Sequence, residues 1–221
     1  MGWRDSWRRR RSVAGPRDSL LTDLHTGMGE AFAVEEAVHL AATHRRAGRI
    51  HEAIDVLSAA VPRARRTVGR RHPAVLGMQA DLAAHYRIAG RTAQAIRLGQ
   101  RVALAQTKTL GFEHPRTLTT LSNLCHAYHD EGSVSSAVGL GERVLAARWQ
   151  TLGAEHPATL ASTIDLATYY AAVHRLDEAV ALGDTAVATM TLVLGGEDPR
   201  TLEAAAALAG WRSARDARPA G

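Results

Sequence analysis

The sequence predicts an all-α protein: a right-handed α-solenoid of stacked helix pairs, closed by a C-terminal capping helix. The first sign is a ruler. His-Pro falls at His72-Pro73, His114-Pro115 and His156-Pro157, with Asp198-Pro199 as a variant, and each step is 42 residues. A fixed period of about 20–50 residues marks duplicated supersecondary units that stack on one another. The second sign is an apolar stripe at helical spacing inside each period. The third is composition: aromatics are only 5% of the chain and Ala is heavily used, which favours closely packed helices over a sheet or a deep aromatic pocket.

Each unit opens in the same way, as His72-Pro73-Ala74-Val75-Leu76, His114-Pro115-Arg116-Thr117-Leu118 and His156-Pro157-Ala158-Thr159-Leu160, followed by the partial Asp198-Pro199-Arg200-Thr201-Leu202. Pro suits the first helical turn, where its missing N–H is not needed. The residue before it is driven from the α region, so His or Asp sits at the cap and has a structural role. Leu76, Leu82, Ala83 and Tyr86 then share one helical face, matched by Leu124, Cys125 and Tyr128 and by Leu166, Ala167 and Tyr170. Gly90 ends this helix, matched by Gly132 and imperfectly by His174. A second helix carries Ala95-Ile96, Ala137-Val138 and Ala179-Val180, whose small residues permit close approach. It stops at Leu110-Gly111, Leu152-Gly153 and Leu194-Gly195, with Gly expected in the left-handed cap conformation.

An earlier unit lacks His-Pro but keeps the register through Leu40, Ala41, Gly48, Ala53, Ile54 and Gly69. The expected organisation is therefore units 30–71, 72–113, 114–155 and 156–197, with a cap over 198–212. Leu202, Leu208 and Trp211 are expected to cover the last apolar face. Residues 1–16 read as a disordered basic arm, 17–29 as a segment with room for a short helix, and 213–221 as a disordered tail.

The net charge of +5 is unevenly placed: from His72 onward there are 13 basic and 14 acidic residues, so the excess belongs to the first third. Arg8–Arg11 lead it. An anionic partner is one reading of that excess, and solvated helix faces are the other. Few aromatics are positioned to stack on bases, so nucleic acid is not the expected partner. A lone cysteine, Cys125, gives no disulfide framework and fits a reducing, cytoplasmic setting. No stretch approaches the roughly 18 apolar residues of a membrane span.

The run Leu-Gly-x-x-His-Pro-x-Thr-Leu, then Leu-(Ala/Cys)-x-x-Tyr-x-x-x-Gly, then Ala-(Ile/Val), resembles tetratricopeptide repeats of the 42-residue kinesin-light-chain-like type, over about residues 30–212. Leu140-Gly141-Glu142-Arg143-Val144-Leu145 is similar to arrays that follow nucleotide-binding ATPase modules in actinobacterial proteins. No Gly-x-x-x-x-Gly-Lys-(Ser/Thr) phosphate loop occurs here.

The resemblance implies that the first helix of each pair lines a concave groove for a protein or peptide. One groove column runs His39, Asp81, Asn123, Asp165 and Ala207. Asn is the residue with which similar light chains grip a peptide backbone, and Asn123 matches it. Neighbouring candidates are Thr119, Ser122, His126, His129 and Asp130, with His85 and Thr168 from the flanking units. No Lys or Arg set matches a clamp for a terminal carboxylate. Asp, Asn and His in mid-groove point to a basic or neutral segment. The alternative is that Asp81 and Asp165 only bond neighbouring helices. The arm Trp3–Arg11 is opposite in charge to both and could itself occupy the groove.

His126 and His129 share a helix face beside Asp130, where a metal-binding pair or a general base is one reading of them. His-x-x-His alone is a weak motif, and no catalytic residue, metal or cofactor is expected. Cys125, in the core stripe, reads as packing. The expected function is a non-enzymatic binding scaffold. The alternative is a small enzyme that uses the His/Asp-lined groove as its pocket. The exposed ends of such a stack leave a homodimer open.

Overall fold

The computed structural model describes residues 35–217. Among these it contains nine α-helices and no strand: α1 (35–46), α2 (Ile50–Thr67), α3 (Pro73–Ile88), α4 (Thr92–Leu110), α5 (Pro115–Glu131), α6 (Val134–Leu152), α7 (Pro157–Ala172), α8 (Leu176–Leu194) and α9 (Pro199–Asp216). Helices α2 to α9 each pack on their neighbours in sequence, and α3 meets α5 and α7 meets α9 across the hairpins. The basic arm and the 17–29 segment expected above lie outside the described residues.

The His-Pro ruler is a ruler of caps. The Nδ1 of His72, His114 and His156 accepts from the backbone N–H two residues on, at 3.3, 3.1 and 3.1 Å. Each satisfies an N–H that the first helical turn cannot. Asp198 does the same for Arg200 at 2.9 Å, and its carboxylate is also forked by Arg200 Nε and Nη2 at 3.0 and 2.9 Å. Those hydrogen bonds from Arg200 hold the Asp198 carboxyl down at about 2. The folded-state value lies below the ordinary 3.8, so the cap's contribution is complete above that value and disappears as pH falls through about 2. We therefore expect amide exchange in α9 to accelerate across this acid window, and Asp198→Asn to remove the response. The same acid profile in Asp198→Asn would refute it.

Positive φ follows the expected turn positions. Gly48, Gly90 and Gly132 have φ of 73°, 72° and 90°, and His174 takes the same place at φ 60°, the one non-Gly residue with positive φ among those described. The second helices end differently from expectation. Gly111, Gly153 and Gly195 have positive φ but ψ of 160°, 166° and 153°, so the chain leaves extended and not in the left-handed helical conformation. That region is accessible essentially to Gly alone. It aims the chain at the next His-Pro or Asp-Pro cap.

The core repeats with the sequence. Val75 and Leu76, Leu118 and Leu160 are between 0% and 4% exposed. The helices also approach closely at Gly99, Gly141 and Gly183, four residues past Ala95, Ala137 and Ala179. A Cβ there would stand 3.4 Å from Leu124, 3.4 Å from Leu166 and Tyr169, and 2.9 Å from Leu208 and Trp211. Across each of these seams runs a bond between residues 28 apart: Gln100 to Tyr128 (2.7 Å), Tyr170 to Glu142 (2.7 Å), and Arg212 to Asp184.

The C-terminal end departs from expectation in two ways. Helix α9 continues through Ser213 to Asp216, past the expected end of the cap, because this stretch contains neither Gly nor Pro and Arg215 suits its last turn. Leu208 is buried and Trp211 half-buried, but Leu202 is 51% exposed. Its register mates Leu118 and Leu160 pack on the second helix of their own pair, α6 and α8, and among the described residues no helix follows α9.

Candidate binding groove

The first helices of the pairs form a wall whose candidate residues fall into two different environments. Toward the N-terminal end, a cleft of about 860 Å³ opens between α1, α3 and α5, lined by His39, Asp81, Thr119 and Asn123 of the expected set. The side chains of Asp81 and Asn123 make no hydrogen bond or ion pair with any described residue. Asp81 stays solvent-accessible, but the surrounding walls desolvate it and raise its carboxyl above the ordinary range, against the pull of His85, Arg45 and Arg116. Thr119 is committed locally, its hydroxyl donating to the Pro115 carbonyl at 2.9 Å.

Four further candidates, His126, His129, Asp130 and Asp165, are engaged with one another and with Arg87 and Tyr169. Arg87 on α3 pairs with Asp130 on α5 at 3.0 Å, and His129 Nδ1 lies 3.8 Å from the other Asp130 oxygen. The His129 ring packs on Tyr169 of α7 at 5.4 Å. The Tyr169 hydroxyl is 2.9 Å from His126 Nδ1, and His126 Nε2 is 3.4 Å from Asp165 on α7. The Nε2–H tautomer serves both contacts: the tyrosine O–H donates to Nδ1 and Nε2–H faces the carboxylate. Burial disfavours both charges, pulling His126 down and Asp165 up against their mutual attraction. With both nitrogens engaged internally, His126 presents neither to a guest. Among the described residues no group of three or more His, Cys, Asp or Glu side chains is arranged to hold a metal ion.

Three candidates lie elsewhere. His85 is only 4% exposed, behind the wall and not on it, with Nδ1 donating to the Asp81 carbonyl. Ser122 is half-buried in a crevice with Cys125, Gly141 and Tyr169. Thr168 donates to the Ile164 carbonyl at 2.9 Å. Burial pushes the Cys125 thiol up to about 12, which suppresses the thiolate a nucleophile needs.

Sequence reasoning passed over Arg87, Tyr169, Gln106 and Arg148. The first two were detectable by register, since Arg87 precedes His129 by one period and Tyr169 follows Ala127. Gln106 and Arg148 stand in a column whose other members are Ala64 and Met190. All four positions of that column are buried, so a polar residue there was the signal. Arg148 Nη1 donates to the Ser162 hydroxyl and, at 3.1 Å, to the Ala158 carbonyl. Its charge acts on Asp165 from behind the wall. A second, smaller cleft of about 250 Å³ lies between α7 and α9, lined mostly by apolar side chains with Asp165, Arg200 and Glu203.

No helix among the described residues is long and apolar enough to cross a membrane. A tetratricopeptide repeat model matches residues 35–103, 75–149 and 116–188. The kinesin light chain-like, nearly identical TPR-like repeats of Podosopora anserina are 34% identical and superpose with a TM-score of 0.75, over 84% of this chain and 87% of that one. A second structure of those repeats has a TM-score of 0.74 at 34% identity, over 84% and 88% of the two chains. BtubC (BKLC) from P. vanneervenii shares the fold at 16% identity and a TM-score of 0.64, over 90% and 94%. No curated protein matches the sequence. The chain belongs to the tetratricopeptide repeat family and carries its repeat in the 42-residue, kinesin-light-chain-like form.

Proposed function

We propose that this protein is a non-enzymatic scaffold that holds an extended protein segment in the cleft between α1, α3 and α5. One observation carries the reading: a cleft of about 860 Å³ holds the Asp81 carboxylate and the Asn123 amide, neither with a described partner. Polar groups in a concave site that lack internal partners suit a guest's backbone and side chains. An amide such as Asn123 can donate to and accept from one peptide unit at once. The His/Asp cluster toward α7 supports a different role. It ties α3, α5 and α7 together and so holds the wall rigid beside the cleft. A preorganised wall lowers the ordering cost of binding.

The test is selection of a random peptide library on the full chain, followed by affinity measurement of the enriched peptides. Asn123→Ala is expected to leave the melting temperature nearly unchanged and to weaken those peptides by about 5–10-fold, the size of one hydrogen bond to a neutral partner. Failure to enrich any peptide, or affinities untouched by Asn123→Ala, would overturn the reading.

A further inference from the structure

The three complete first helices of the array carry a polar residue in the same register, Asp81, Asn123 and Asp165. The buried position behind each is Ala64, Gln106 and Arg148. In the third case the acid is engaged within the chain: His126 Nε2 lies 3.4 Å from Asp165, and the Arg148 guanidinium, 7% exposed and anchored by Ser162 and the Ala158 carbonyl, acts on it through space. In the second case both charges are absent and the pair is Gln106 and Asn123. In the first case the acid remains but Ala64 brings no cation. Arg45 and Arg116 influence Asp81 only through space, His85 lies behind the wall, and none of them forms an ion pair with it.

A second, independent feature lies in the same cleft. Gln106 lines its floor at 1% exposure, and its Oε1 has no hydrogen-bond partner. A buried acceptor left unpaired has lost its water and gained nothing in return. By register, the groups that hold Arg148 correspond here to Thr120 and the Arg116 carbonyl. The Thr120 hydroxyl already donates to that carbonyl at 3.0 Å. A guanidinium reaches such a pair, whereas the shorter Gln106 amide makes no hydrogen bond to either.

We propose that Asp81 and Gln106 form a subsite for one basic side chain, Arg or Lys, of an extended segment from another protein. The subsite rests on the peptide-binding reading above and refines it. Glu35, on the same cleft, adds negative charge at its α1 edge, and Arg116 is left to face carbonyls or acidic flanks of the guest. The charge-assisted bond to Asp81 supplies most of the discrimination, and the Gln106 oxygen accepts a further N–H.

The experiment uses the same library on the full chain and on three variants. Wild type is expected to enrich peptides with Arg or Lys at one fixed position, and replacing that Arg by citrulline should weaken binding on the order of 10-fold. Asp81→Asn should abolish the difference between Arg and citrulline. Gln106→Met, which places at this register the residue that stands at Met190, should keep the fold and reduce Arg binding several-fold. Gln106→Arg should fold with its guanidinium on Thr120 and the Arg116 carbonyl and should exclude basic peptides. Peptides that enrich without a basic residue, or that bind Asp81→Asn and wild type alike, would overturn the subsite and leave the groove standing. An empty selection would overturn both. If basic peptides bind only after residues 1–16 are deleted, the occupant is the chain's own Arg8–Arg11, and the assignment to another protein falls.

Discussion

Leu118→Ala is expected to remove about 2–5 kcal/mol of stability, the usual cost of truncating a fully buried leucine and leaving a cavity. The side chain is 1% exposed, in a cluster with Ala103 of α4, Leu121 of α5, and Val144 and Ala147 of α6. It therefore joins one hairpin to the next as well as closing its own. In a stack whose units touch only neighbours, stability is a sum of unit and interface contributions, and a lesion at an internal interface weakens both sides. Urea titration followed by circular dichroism is the measurement. The midpoint should fall sharply, and the transition should broaden or split as the two halves lose their common seam. A loss below about 1 kcal/mol would show that the site collapses around the gap and that the leucine column is not the principal tie between units.

Gly183→Ala is the second large effect. A methyl group at Gly183 meets Leu208 Cδ1 and Trp211 Cζ3 at 2.9 Å, closer than real Cβ atoms approach their neighbours. The Leu208 tip could turn aside, but the Trp211 ring is stiff and would push α9 outward. Overpacking of this kind costs about 1–3 kcal/mol. It should appear locally, as faster amide exchange across α9 with α3 to α6 unaffected. Gly139→Ala is the control, since its methyl meets nothing within 4 Å on the exposed face of α6. That change should stabilise by about 0.5–1 kcal/mol through helix propensity alone. If both substitutions stabilise, the close approach at Gly183 is not a constraint.

These cases separate what the sequence disclosed from what it concealed. Helix starts were legible because His-Pro and Asp-Pro impose a cap and a first turn through backbone sterics, which are local. The leucine and tyrosine columns were legible because helical period puts them on one face whatever lies opposite. The division of the wall was not. Whether Asp165 is open or engaged depends on how far Arg148 and His126 reach from other helices, and period says nothing about reach. Asp81 and Asp165 look alike in register, yet only Asp165 meets a side-chain partner, His126. The glycine column was visible, but its meaning required the distance to Tyr169 and Trp211. The extended exit at Gly111, Gly153 and Gly195 depends on ψ, and a Gly in the sequence does not report it.

The bonds between residues 28 apart differ from seam to seam: amide to phenol, phenol to carboxylate, guanidinium to carboxylate. The hairpins therefore are not interchangeable bricks, since each joint is keyed. Copying α7 and α8 in tandem would set Asp184 against a second Tyr170 in place of Arg212, and a second Tyr169 against Gly183 where Trp211 now rests. The order of assembly is written in the mortar as well as in the bricks.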